Sequence, residues 1–226
     1  MPTTMLEPIP RAPSRSEQVA ASIREAILSG RLRPGEALVE RKLAALLDVS
    51  KTPVREALIA LVGDGLAEIQ ANGAVTVRVL DPPTLASIDE VRLRLEPWAI
   101  GRAAAAADAT TLGEAHAALA AADAAEHAGD LPALSQANRR FHRSLYCNCG
   151  NKLAVAILDG VQDQVALGAV AVLWPHWPGR PADHAAQHRA ILEAVEAGDG
   201  ERAEALVAAH IESSAARYRE LGIDGR

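Results

Sequence analysis

The sequence predicts a mainly α protein in two parts. A small N-terminal helical unit ends in a β-hairpin, and an all-α antiparallel bundle of about six helices follows. Three observations carry this. Glu40 to Gly65 reads as two short helices around a tight turn, followed by alternating apolar and polar residues over 66–70 and 75–79. From Thr84 onward the text is helical, broken only by short Gly-, Asp- or Pro-containing separators. About half of the 226 residues are apolar but aromatics are only 3%, so the core must be built from Ala, Leu, Val and Ile; alanine runs at 103–107 and 117–122 favour helix.

Taken in order, residues 1–14 hold four prolines and little periodicity, and read as a disordered arm. Ser16 is placed to cap a first helix that runs to about Ser29 and stops at Gly30, with Val19, Ile23, Ile27 and Leu28 as its inner stripe. Arg31 to Glu36 reads as a loop turning at Pro34-Gly35. In the next helix Leu43, Leu46 and Leu47 form the apolar face, and Val49 closes it. Thr52 before Pro53 reads as an N-cap with proline at the first helical position, and Glu56 can reach back toward that start. Val54, Leu58, Leu61 and Val62 form the buried stripe of this helix. An Asn72-Gly73 turn then joins two short strands. Asp81-Pro82-Pro83 reads as a stiff hinge that stops the second strand.

Six helices are expected at about 84–107, 110–128, 130–147, 151–173, 181–197 and 199–220, with a loop from Trp174 to Pro181. Short connections make them antiparallel neighbours. The expected domains are therefore an arm at 1–14, a winged helix-turn-helix at 15–80, a hinge at 81–83, a helical domain at 84–220 and a tail at 221–226.

Cys147 and Cys149 lie too close in sequence for a structural bridge, and no second pair completes a four-sulfur metal site; they read as free thiols in a reducing, cytoplasmic setting. No signal peptide or membrane-length apolar run is present. Net charge is −6, but unevenly spread. Residues 1–80 carry 10 basic and 9 acidic residues, against 13 and 20 in 81–226; within 15–55 the ratio is 8 to 5. Positive charge thus gathers around the helix pair, and the acidic remainder is repelled by nucleic acid.

That distribution suits DNA. A helix-turn-helix sets the start of its second helix in the major groove, where Arg and Lys bond guanine edges and Thr bonds bases or phosphates. Arg41, Ser50, Lys51, Thr52 and Arg55 lie at that start or beside it, and the hairpin tip at Asn72 and Gly73 can reach the minor groove or the backbone. An ordinary helical hairpin with surface charges is the alternative on pattern alone. Residues 30–79 go further. Their P-G turn, E-R-x-L-A segment, S-K-T-P-V-R-E-A-L helix and G-L entry to the wing closely resemble the DNA-binding domain of GntR-type bacterial transcription regulators. Lys51 stands where that family usually has Arg; it lacks the planar fork but still binds a phosphate or guanine.

The second half resembles the FCD ligand-binding domain of the FadR branch of that family. The carrying segments are E-V-R-L-R-L-E-P-W-A (90–99), N-R-R-F-H-R-S-L-Y (138–146), the G-N pair at 150–151, H-R-A-I-L-E-A-V-E-A-G-D (188–199) and the A-A-H that ends at His210. The residues themselves allow a site. Asn138 and His142 share a helix face at i, i+4, and His188 and His210 sit on later helices; if these surround one cavity, three imidazoles and an amide converge. Scattered surface histidines are the alternative. The resemblance implies a divalent metal (Zn, Ni or Mn) held by an Asp-x-x-x-His pair and two later histidines, and Asn138, His142, His188 and His210 occupy those positions, with Asn138 in place of the commoner Asp. His184 can compete as a ligand or stand behind one; His176, His116 and His127 read as uninvolved. Arg92 faces the bundle with Ile88, Leu95 and Ala99. It suits either an effector carboxylate or an ion pair with Glu96 or Glu90.

The expected protein is a homodimeric transcription regulator, a repressor by the commoner pattern, that binds a palindromic operator and senses a small carboxylate through a metal. An enzyme is not expected: no general-base motif, nucleophile elbow or phosphate-binding glycine loop is found.

Overall fold

The computed structural model describes residues 12–170 and 182–220. Most of the expected arm, the loop from Trp174 to Pro181 with His176, and the tail at 221–226 lie outside the described residues. Helix α1 (Arg15–Leu28) starts one turn's edge earlier than expected. Ser14, not Ser16, is the N-cap: its hydroxyl accepts from the Glu17 amide at 3.2 Å, and the Glu17 carboxylate takes the Ser14 amide at 2.6 Å. This reciprocal pair satisfies two donors that a helix start leaves open, which Ser16 cannot do. Val19, Ile23, Ile27 and Leu28 are buried as the stripe requires.

Helices α2 (Glu40–Leu46) and α3 (Lys51–Gly63) form the helix pair. Two expectations fail here. Leu46 is 80% exposed, because α2 ends with it and Leu43 and Ala44 already fill the contact with α3. Thr52 is not the cap: α3 begins at Lys51 with Ser50 as N-cap, so Pro53 is its third residue. Proline is tolerated there because the first-turn amides have no intrahelical partner. The turn between the helices passes through Asp48 at φ 51°, a left-handed conformation that a short polar side chain bears better than most.

Strands β1 (Ala67–Ile69) and β2 (Val75–Val77) pair antiparallel, Ala67 opposite Val77. Their loop is longer than a two-residue turn. The Gln70 amide donates to the Ala74 carbonyl, Asn72 Oδ1 accepts from the Ala74 amide at 3.0 Å, and Gly73 takes φ 81°. The segment just after the expected loop lines the outer edge of β2: Ala37 bridges Thr76, and the Leu38 amide donates to the Val75 carbonyl at 2.8 Å.

The residues expected as a hinge start a helix instead. Asp81 caps α4 (Pro82–Ala104) by accepting from the Thr84 amide at 2.9 Å, and both prolines fall in the first turn, where a missing amide costs nothing. The bundle continues with α5 (Ala109–Ala128), α6 (Leu131–Tyr146), α7 (Lys152–Gly168), α8 (Ala182–Glu196) and α9 (Gly200–Glu220). Helices α4 and α9 cross where Gly101 meets Gly200; a β-carbon on Gly101 would sit 2.8 Å from the Gly200 carbonyl oxygen. No helix among the described residues is long and apolar enough to cross a membrane.

One apolar cluster joins the two halves. Leu61, Leu66 and Val77 of the winged unit pack in the same core as Leu80, Leu85 and Ile88 and as Ala166 and Leu167 of α7. Beside it runs a charged seam: Asp163 of α7, almost fully buried, is ion-paired with Arg24 of α1 at 2.9 Å and with Arg139 of α6, and Arg24 also meets Asp64, the C-cap of α3. Gln164 donates to the Asp64 carbonyl at 3.3 Å.

Candidate functional site

The second apolar cluster, built from α4 to α9 around Phe141, Leu145, Ile191 and Val207, encloses polar groups that an apolar core ordinarily rejects. His142, His188 and His210 are 0%, 1% and 2% exposed, and one ligand nitrogen from each lies within 4.8 Å of the others. Helix α6 is strongly two-faced, so its i, i+4 pair Asn138 and His142 points inward together. His188 stands in the middle of α8 and His210 in the second half of α9, and the antiparallel packing of these helices brings them level. The sequence expectation of converging histidines is met in space.

The geometry suits a cation. His188 Nε2 and His210 Nε2 are 3.3 Å apart. Two imidazoles on a tetrahedral ion with bonds of about 2.0–2.1 Å stand about 3.3 Å apart. His142 Nε2 and Asn138 Oδ1 are buried without a hydrogen-bond partner, as open ligand atoms would be. Behind the ligands, His142 Nδ1 lies 2.5 Å from Glu96 Oε1, and His210 Nδ1 lies 3.0 Å from Gln187 Oε1. The Glu96 contact favours the ring proton of His142 on Nδ1 and its lone pair on Nε2, the atom a metal would take. Phe141 packs on the His188 ring at 4.6 Å and keeps it oriented. His184 lies against the His188 and His210 rings, at 4.5 and 4.7 Å, at the half-buried edge of the trio.

Arg92 is 3% exposed and engaged by the protein's own acids: its Nε meets Glu96 Oε2 and its Nη1 meets Asp89 Oδ1, each at 3.1 Å. Asp89, rather than Glu90, is the second partner. The ion pair left open by the sequence is thus formed, and Arg92 is a support of Glu96. Gln162 adds a donor to Glu96 Oε2 at 2.9 Å. Burial works against the Glu96 charge, but Arg92 and His142 outweigh it, and the carboxyl is held down at about 2. Glu96, Gln162 and Gln187 were not singled out as site residues. Only Glu96 left a signal, its i+4 spacing from Arg92.

At the other end of the molecule, Arg41, Ser50, Lys51, Thr52, Arg55, Asn72 and Gly73 are all exposed. Arg55 is held by a two-point ion pair with Glu40 at 2.9 and 3.0 Å, which fixes its direction across the face of α3. Asn72 spends its carbonyl oxygen inside the wing loop, so only its amide nitrogen projects.

Residues 15–77 match the profile of bacterial regulatory proteins, gntR family, and residues 87–213 match the FCD domain. The chain belongs to the gntR family of regulators. Among its relatives, the protein named "Probable D-xylose utilization operon transcriptional repressor" of Paenarthrobacter nicotinovorans is 32% identical over 198 residues, 85% of each chain. The HTH-type transcriptional regulator McbR of Escherichia coli is 26% identical over 184 residues, 81% of this chain and 83% of McbR. The solved structure of E. coli McbR/YncC superposes with a TM-score of 0.78, covering 92% of this chain and 99% of that one. The gntR regulator described here is accordingly a DNA-binding transcription regulator with an FCD effector domain, and not an enzyme. Its α3 and wing fall within the segment that matches the gntR profile, and its histidine cluster within the segment that matches the FCD domain.

Proposed function

We propose that this regulator is a cytoplasmic homodimeric repressor whose helical domain holds a divalent metal, Zn, Ni or Mn, and through it binds a small carboxylate that alters operator affinity. The observation that carries the reading is the buried trio of His142, His188 and His210 with open ligand atoms on His142 and Asn138. A bound metal would supply a Lewis-acidic centre for the effector's carboxylate. The chain's own part is to hold it: three imidazoles and the Asn138 amide as ligands, Glu96 and Gln187 to set ring tautomers, and Arg92 to hold Glu96 in place.

The DNA-binding part spans 15–80 and the effector part 84–220. In a dimer, two α3 helices address the two halves of a palindromic site, with Arg41, Ser50, Lys51, Thr52 and Arg55 toward the major groove and the wing tip at Asn72 and Gly73 toward the backbone or minor groove. Exposed apolar residues on the packed pair α4 and α7, namely Val91, Trp98, Leu153 and Ile157, offer the surface a second copy would cover. The repressor named among the relatives supports the sign of control.

The test is a thermal-shift screen of purified protein with and without Zn, Ni and Mn against small mono-, di- and hydroxycarboxylates. A ligand at a hundred times its dissociation constant stabilises by about 2.7 kcal/mol, a visible shift. An acid that stabilises only when metal is present supports the reading. Absence of any metal effect in the wild type, matched by an unchanged His188→Ala variant, refutes it.

A further inference from the structure

Among the side chains at the start of α3, Arg55 has its direction set by another helix. Its Nε donates to Glu40 Oε1 at 2.9 Å and its Nη2 to Glu40 Oε2 at 3.0 Å. Glu40 is the first residue of α2, so the contact spans the helix pair. This side-on pairing occupies the Nε hydrogen and one of the two on Nη2. The other edge of the guanidinium, Nη1 with the second Nη2 hydrogen, meets no acceptor among the described residues, and the Arg55 side chain is 68% exposed against 32% for Glu40. That edge carries two parallel N–H bonds, the pattern that matches O6 and N7 of guanine. The carboxylate also cancels the arginine's charge: the Arg55 hydrogen bonds hold the Glu40 carboxyl below its usual range, so it is ionised at neutral pH. A neutralised guanidinium is a poor clamp for a phosphate, whose attraction is one of charge. What remains is directional. An arginine free to sweep through its rotamers loses that freedom on meeting a base, whereas one already held has little left to lose.

Resting on the DNA-facing reading of α3 above, we propose that Glu40 is a positioning residue for sequence recognition: it aims the free edge of Arg55 at a guanine and keeps the guanidinium off the phosphates. Glu40 acts through Arg55 and touches no base itself. Arg55 then reads sequence, and the attraction of the phosphate backbone falls to the exposed Arg41 and Lys51. An acidic residue beside the groove, unfavourable for affinity, is thereby a device for specificity.

The experiment selects binders from a random-sequence duplex library with the full-length wild type, Glu40→Gln and Arg55→Ala, and circular dichroism verifies each fold. The wild type's preferred duplex and its single-base variants are then titrated by fluorescence anisotropy at several salt concentrations. Wild type is expected to prefer a guanine at one position by roughly ten- to a hundredfold. Glu40→Gln keeps the side chain's size but turns one acceptor into a donor, so the two-point pair is lost. It is expected to lose most of that preference while binding the other-base duplexes no more weakly than wild type, with a steeper salt dependence as the released charge reaches a phosphate. Arg55→Ala is expected to lose the preference at the same position and at no other. A guanine preference in Glu40→Gln equal to that of wild type overturns the positioning role while leaving Arg55 at the DNA. So does a loss in Arg55→Ala spread evenly over all duplexes, the mark of a phosphate contact. Arg55→Ala indistinguishable from wild type, or a wild type that retains no duplex, removes the DNA-facing reading of Arg55, and the role of Glu40 with it.

Discussion

Glu96 is the residue on which the buried polar cluster turns, since it touches His142 on one side and the Arg92 guanidinium on the other. Its carboxyl is ordinarily at 4.5 and is held at about 2 in the folded protein. A depressed carboxyl contributes stability that is complete above the unfolded value and is lost as pH falls through the folded one. Denaturant midpoints of the metal-free protein should therefore fall as pH drops from about 4.5 toward 2, and Glu96→Gln should flatten that part of the profile. Arg92→Ala leaves Glu96 and Asp89 as buried acids without their counter-ion, and is expected to cost about 3–5 kcal/mol in urea unfolding. A loss under about 1 kcal/mol would mean the triad is solvated and Arg92 is free to serve a ligand. That Asn138 and His142 share one helix face was legible from their i, i+4 spacing, whereas grouping them with His188 and His210 rested on the family resemblance. That Arg92 is already satisfied was not legible, because a one-dimensional pattern places Asp89, Glu90 and Glu96 equally near it, and only the helix's three-dimensional packing chooses among them.

At the scale of elements, caps and contacts decided what propensity left open. Asn151 accepts from the amides of both Leu153 and Ala154 at 3.1 Å, so Asn151→Ala should lower stability by about 1 kcal/mol by unpinning the start of α7. The measurement is equilibrium unfolding, with Asn151→Asp as the variant that keeps the acceptor and the stability. The sequence located the helix pair, the wing and each bundle helix within a few residues. It misplaced starts where two hydroxyls lie close together: Ser14 prevails over Ser16 through its reciprocal bonds with Glu17, whereas Ser50 takes the cap position ahead of Thr52 without a side-chain bond. It also missed the third edge of the wing, where Ala37 bridges Thr76, since a single bridge leaves no periodicity to read.

At the scale of the whole molecule, the two parts are fastened rather than hinged. A shared apolar cluster runs from Leu61 and Val77 through Leu85 to Leu167, and the buried Asp163 joins Arg24 of the winged unit to Arg139, the neighbour of Asn138. The wild type is thus expected to unfold in a single transition, with calorimetric and van't Hoff enthalpies equal. Asp163→Ala removes the shared acid from between two arginines and should both destabilise the chain and separate the transition into two. A single, merely shifted transition in that variant would show that the apolar contact alone couples the halves.

The sequence by itself determined the class of fold and the helix-turn-helix with its wing. Those properties follow from local periodicity, turn chemistry and residue type, which need no long-range information. Tertiary structure alone decided that α6, α8 and α9 bring three histidines to within ligand distance, that Glu96 and Gln187 stand behind them, and that prolines 82 and 83 begin a helix inside a continuous core. The physical reason is that these depend on which helix faces meet across the bundle. That is fixed by the packing of small residues such as Gly101 against Gly200, and no spacing along the chain encodes it.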